Sequence, residues 1–423
     1  MESPAKKPRL SSAQVNLVLA IAKAARRKLE IASVVASATS DSRETPAIQV
    51  DLTLSDETPI KTFLSYPETC GEINMRRALL LVNEFICPAM VGKDPTEQDT
   101  IDELMTQRLA KICDENRSCS IEKAARNVIF ALSLAVCKAG AHIKDMPLYK
   151  YIREISENEE YCEYPCPVFK HFMIFPTMAR SFKDAIIVVK ELYMRFKDAI
   201  REDDDDGGYN LNNIQIKEAL DLLVEVIDNA GYLGLVYIGL DFTASKLDIH
   251  ESKYMVKDYS ILFFKNPFHC NDWDLYHKLT HDVELSHEVT LSFYEEDGGD
   301  EIEKARVVMG YHSFANLKML RKAIKGKVCN SLLLEVNELR CITECIEALE
   351  LLRTAGWTLL MSGHNSCEMD TDVADLFVGF RPYQIEIGEC FIDEHKPCSM
   401  CERLKYIDSE GSKEYSEKFK FRL

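Results

Sequence analysis

A chain of 423 residues is longer than one hydrophobic core usually grows, so two domains are expected. Hydrophobic content of 46% with 28% charged residues excludes a disordered or fibrous chain, and a net charge of -18 argues against nucleic acid as a partner of the folded body. Fifteen cysteines without a regular framework fit a reducing compartment, and no apolar run reaches the roughly 18 residues of a membrane span, so the cytosol or nucleus is expected and no membrane partner.

Residues 1–27 read as a basic extension. Lys6-Lys7-Pro8-Arg9 has the form of a nuclear import address, and a solvated basic arm fits the same letters. Ser11 to Arg27 also suits a basic presequence helix without acidic residues. Val15–Ala22, closed by Lys23, Arg26, Arg27 and Lys28, is too short for a secretory signal.

Residues 28–161 alternate extended and helical patterns, as an α+β domain does. Ile31–Val35 and Ile48–Leu54 read as strands, and Thr100–Ile112 and Ile121–Ala141 repeat apolar residues at helical spacing. Gly140 reads as the stop of the second helix. From 162 to 423 short apolar strands alternate with helices, which argues for a parallel sheet or barrel. The strands are Leu235–Leu240, Leu332–Val336, Thr358–Met361 and Leu376–Phe380, and the helices include Lys217–Ala230, stopped at Gly231, and Cys341–Thr354. Two acidic, glycine-bearing stretches, Arg201–Gly208 and Tyr294–Lys304, read as exposed loops.

Asp41–Pro46 followed by Ile48–Asp51, Val91–Pro95 with Gln98, Ala131–Ala141 followed by Pro147–Lys150, Phe172–Ile174, Ser181–Ala185, Tyr237–Asp241 and Ser331–Asn337 form a set of segments. Taken jointly, they resemble the enolase family. The likeness runs from about Lys28 to the C-terminus. It implies an α/β protein with an N-terminal α+β capping domain followed by an enolase-type (β/α)8 barrel. The chain is markedly shorter than the family pattern between Tyr254 and Pro267, so the barrel is expected to be modified or to miss one helix.

The family reaction, dehydration of 2-phosphoglycerate, needs a lysine base, magnesium held by carboxylates and concentrated positive charge. Position by position, the resemblance places this chemistry on unsuitable residues. Glu335 stands where the family has its catalytic lysine. Asp241 keeps the first magnesium position, but Lys265 takes the second and Gly310 the third. Thr69 aligns with the loop serine that holds a second metal, and Asp206 with a loop carboxylate. His171 replaces a glutamate, His364 falls in the phosphate-gripping segment, and Glu386 replaces a substrate-binding lysine. An anionic substrate would meet Asp206, Asp241, Glu335 and Glu386, opposed by Lys265 and His364. Lys265 and Glu335 have exchanged sign relative to the family, which suggests a structural ion pair in the former metal position.

Cys390, His395, Cys398 and Cys401 have a spacing that could hold zinc, but reduced, unliganded thiols are the reading a cysteine-rich chain favours. His277 and His281 are four residues apart but lack a metalloprotease context. The expectation is an enolase-like protein with a degenerate pocket, acting through interactions and holding no cofactor. A homodimer or a pairing with an active enolase is expected, because Arg43 survives where the resemblance places a dimer surface. The alternative is a residual magnesium-dependent phosphopyruvate hydratase using Asp206 and Asp241.

Overall fold

The computed structural model describes residues 29–40, 46–66, 71–116, 119–157, 166–167, 172–177, 179, 181–202, 216–242, 249–259, 261–286, 306–310, 316–335, 340–362, 371–382, 384–387 and 399–415. Ile31–Ser40, Pro46–Leu54 and Pro59–Ser65 (β1–β3) form an antiparallel sheet in chain order. β2 buries Ile48, Val50, Leu52 and Leu54, the period of two that puts alternate side chains on one face. The sheet is packed by α1 (Glu72–Phe85), α2 (Cys87–Met90) and α4 (Cys119–Lys144), and α3 (Gln98–Asn116) packs against α4. The outer edge of β1 is closed by a side chain: Ala36 N–H donates to Asn83 Oδ1 at 2.9 Å, and Asn83 Nδ2 donates to Ala36 O at 2.8 Å. The amide of Asn83 thus stands in for a neighbouring strand and blunts an edge that carries no charge of its own.

Cys166–Pro167, Phe172–Phe175, Tyr237–Asp241, Ile261–Lys265, Arg306–Gly310, Ser331–Glu335, Thr358–Ser362 and Gln384–Ile387 (β4–β11) make one eight-stranded sheet, ordered β4-β11-β10-β9-β8-β7-β6-β5. Its pairings are parallel except that of β5 with β6. The two end strands are consecutive in the chain and pack together, so the sheet curls into a barrel. Helices α6 (Phe182–Glu202) and α7 (Ile216–Asn229) join β5 to β6. Single helices fill the later crossovers: α8 (Ile249–Tyr259), α9 (Trp273–Ser286), α10 (Leu317–Lys325), α11 (Ile342–Ala355) and α12 (Thr371–Phe380), with α13 (Ser399–Tyr415) after β11. The fold is therefore an α+β cap followed by a modified barrel. The shortening between Tyr254 and Pro267 leaves a helix in place, α8, and the irregularity lies at the antiparallel β5 instead.

Outward strand residues such as Leu240, Phe264, Met309, Leu334 and Met361 join the helices and cap in one core, while Met173, Phe175, Phe263, Val308, Leu333 and Leu360 fill the barrel interior. Gly239 belongs to that interior because a Cβ there would lie 2.7 Å from Met173 Cε and 2.8 Å from Phe175 Cε2. The barrel is a packed plug of apolar side chains, and only its rim is free for chemistry.

Cap and barrel are joined by groups that satisfy each other's helix ends. The first N–H groups of a helix have no partner within it. Those of α11 are met from the cap: Ile342 N donates to Ser133 Oγ at 2.9 Å, and Thr343 N and Oγ1 donate to Asp102 Oδ2 at 3.0 and 2.7 Å. In return Asp375 of α12 accepts from Tyr149 N at the start of α5 (Leu148–Ser156) and is held by Arg403 through two bonds of 2.8 Å. α12 crosses α5 so closely that a Cβ on Gly379 would lie 2.5 Å from Ile152 Cβ and 3.1 Å from Tyr149 O. Gly379→Ala is expected to destabilise by about 1–3 kcal/mol, the usual penalty of overpacking, read as a lowered urea midpoint. An unchanged midpoint would show that the two helices can separate freely.

Two expectations are corrected. Leu376–Phe380 is not a strand but the second half of α12. A short apolar run carries no period, and here Val373, Phe377 and Phe380 are buried at helical spacing while Asp372 and Asp375 pair with Lys138 and Arg403. Gly140 does not stop α4, which continues to Lys144. It sits within the helix because Tyr151 of α5 crosses there: a Cβ would lie 2.5 Å from Tyr151 Oη. The true stop is Asp145, at φ 56°, with Asp145 N bonded to His142 O and Met146 N to Ala141 O, the Schellman pattern. Residues 1–28, the expected boundary at 161, and all of both acidic stretches except Arg201 and Glu202 lie outside the described residues. Among the described residues, Glu122–Lys144 of α4 is the one helix long and apolar enough to cross a membrane, and it is mostly buried in the core.

Candidate functional site at the barrel mouth

Parallel strands deliver their last inward side chains to the same end of the barrel, where chemistry is usually placed. Here β6, β7, β8 and β9 end on Asp241, Lys265, Gly310 and Glu335, one after another. Glu386 of β11 and Glu335 of β9 both stand level with Ser362 of β10. The positions singled out from sequence thus fall on consecutive strand ends. Lys265 is fixed there by its neighbours: Phe242 N donates to Lys265 O at 3.0 Å, and the next residue, Asn266, turns the chain away at φ 46°. Asparagine tolerates that left-handed conformation better than most side chains.

Lys265 is 6% exposed and Glu386 1% exposed. Lys265 Nζ lies 2.8 Å from Glu386 Oε2 and 3.1 Å from Asp241 Oδ2, so one ammonium is clasped between two carboxylates. Burial by itself pulls the lysine pKa down, but Glu386 and Asp241 more than reverse this and hold it above its ordinary value. Lys265 is therefore charged at neutral pH. Glu386 Oε1 has no hydrogen-bond partner among the described residues. Glu335 is half-buried at the end of β9, which is separated from β7 by β8. The sequence had suggested Glu335 as the partner of Lys265; the pairs measured are with Glu386 and Asp241. The signal for Glu386 was present in the letters, since it replaces a lysine just as Lys265 replaces a carboxylate.

Thr69, Asp206, His364, Cys390, His395 and Cys398 lie outside the described residues. Cys401, the fourth member of the suggested zinc set, lies on α13, buried in the apolar core. Among the described residues no group of three or more His, Cys, Asp or Glu side chains is arranged to hold a metal ion.

An α+β cap docked on an eight-stranded barrel, with charged side chains at the mouth on β6, β7, β9 and β11, defines a protein of the capped-barrel class. Two family models match: "Enolase, N-terminal domain" over residues 65–152 and "Enolase, C-terminal TIM barrel domain" over residues 167–395. The chain is 32% identical to "Enolase 2" of Hevea brasiliensis over 424 aligned positions, covering 85% of this chain and 91% of that protein. It is also 32% identical to "Enolase" of Solanum lycopersicum over 412 positions, covering 82% and 88%. The chain belongs to the enolase family.

Proposed function

We propose that this enolase-family chain has lost phosphopyruvate hydratase activity and acts through protein interactions, as a homodimer or paired with an active enolase. The observation that carries the reading is Lys265, clasped by Asp241 and Glu386. Magnesium takes six oxygen ligands in near-octahedral geometry. The strand ends offer Asp241, an ammonium and a glycine in succession, and Lys265 Nζ stands 3.1 Å from the one retained ligand. These residues do not fit magnesium.

The strand ends also lack the charge that an enolate needs. Among the described strand ends stand three carboxylates, Asp241, Glu335 and Glu386, and one ammonium, Lys265, which is already paired. A phosphorylated carboxylate entering this rim meets net repulsion, and Glu335 supplies a carboxylate where the family uses an amine. Apolar surface on the cap supports the interaction role: Ile73 and Leu80 of α1 are 74% and 69% exposed, and Phe85 and Val91 are exposed nearby.

Purified protein given 2-phosphoglycerate and magnesium is expected to show no turnover above the uncatalysed rate. Turnover at ordinary enzyme rates, about 1–10³ per second, would overturn the reading. Sedimentation of the same sample as a monomer at micromolar concentration would remove the homodimer, leaving pairing with an active enolase to be tested by mixing.

A further inference from the structure

In a chain of net charge -18, five of the ten residues from Lys318 to Lys327 are basic and none is acidic. The fold puts them on one surface. Leu317, Leu320 and Ala323 of α10 turn into the core at helical spacing, which leaves Lys318, Arg321, Lys322 and Lys325 exposed, with Lys327 exposed in the following turn. The surface continues onto α9. His277 Nδ1 lies 2.9 Å from Lys327 O, Lys322 Nζ sits 5.5 Å from the Trp273 ring centroid, and Lys278 is exposed beside His277.

On other helices several cations have an acid one turn away: Arg76 with Glu72, Arg126 with Glu122 and Arg195 with Glu191. α10 has no acid to offer. Asp274 of α9 and Glu347 and Glu350 of α11 are exposed nearby, yet among the described residues none pairs with Lys318, Arg321, Lys322, Lys325, Lys327 or Lys278. Among the described residues, the helix therefore presents uncompensated positive charge. At 1.5 Å per residue, Lys318, Arg321 and Lys325 form a row about 10 Å long.

We infer that α10 and the adjoining part of α9 are the docking surface for an acidic peptide segment of a partner protein, an inference that rests on the interaction role proposed above. Alternate side chains of an extended peptide are about 7 Å apart, so three or four residues bearing acids on one side span the row. The size of the row selects against a long polyanion. A nucleic acid would run off the patch onto a body of net charge -18, whereas a short run of carboxylates stays within the screening length of about 10 Å.

The test is binding of a fluorescein-labelled decaglutamate peptide to the full-length protein at low salt, followed by anisotropy. Lys318→Ala/Arg321→Ala/Lys325→Ala retains a good helix former at each exposed position, so the fold is kept. It is expected to weaken binding roughly tenfold, from three exposed charge contacts. A control of equal charge change, Lys111→Ala/Lys123→Ala/Lys183→Ala, removes exposed lysines elsewhere and should leave binding unchanged. Absence of binding by the parent, equal weakening by both triple variants, or tighter binding of a single-stranded DNA of matched charge would each overturn the inference. Turnover of 2-phosphoglycerate in the same preparation separates the two proposals: it sinks the loss of catalysis without altering which variant releases the peptide.

Discussion

Lys265→Met is expected to lower the unfolding free energy by about 3–5 kcal/mol, the effect of removing one partner from a buried ion pair. The magnitude follows from what is left behind. Glu386 is 1% exposed, its Oε1 has no partner among the described residues, and Lys265 Nζ at 2.8 Å is the partner of its Oε2. Without the ammonium, Glu386 and Asp241 must repel each other unscreened or take up a proton. Lys265→Met/Glu386→Gln should recover most of the loss, because the amide needs no counter-charge. The measurement is the urea midpoint of each variant at constant slope. An unchanged midpoint for the single variant would mean that the carboxylates are solvated and that the lysine fills no vacated cation position. The pH dependence has a fixed sign. The folded-state pKa of Lys265 is raised, so its contribution is complete below the unfolded value of 10.5 and is lost as pH rises through the folded value. The gap between parent and Lys265→Met should therefore narrow above about pH 10.5.

Much of this site was legible because charge is written directly in the letters. The resemblance brought Asp241, Lys265, Gly310 and Glu335 together position by position, and the fold puts each on the last residue of its strand. The choice of partner was not legible. A sheet closed on itself brings β11 near β7 although 121 positions separate Lys265 from Glu386, and no local pattern encodes that approach. The helix α12 was misread for a related reason. Its residues are buried nearly all round, so the apolar run had no polar face to reveal a period of 3.6. Gly140 was misread because the reason for it, the ring of Tyr151, lies on another helix.

The same non-local logic predicts that a single cap residue controls the barrel helix it touches. Asp102→Ala is expected to cost about 2–4 kcal/mol, combining a lost helix cap with buried donors left unpaired. The N-cap position of α11 is Cys341, whose side chain makes no capping bond, so the duty falls on Asp102 and Ser133 of the cap domain. Asp102 Oδ2 accepts from both Thr343 N and Oγ1, and Oδ1 accepts from Gln98 Nε2 at 3.1 Å. Ser133 Oγ, which accepts from Ile342 N, also receives Gln98 Nε2 at 3.0 Å, so one deletion loosens both capping residues. Hydrogen exchange should speed up at Thr343 in the barrel domain when a residue of the other domain is changed; exchange confined to α3 would refute the shared cap. Asp102→Asn separates shape from charge, because the amide oxygen can still accept from Thr343. Burial raises the Asp102 pKa despite its hydrogen bonds. The stability that this shift confers is complete below 3.8 and is lost as pH rises through the raised folded value, so the neutral Asn variant should gain on the parent between acid and neutral pH.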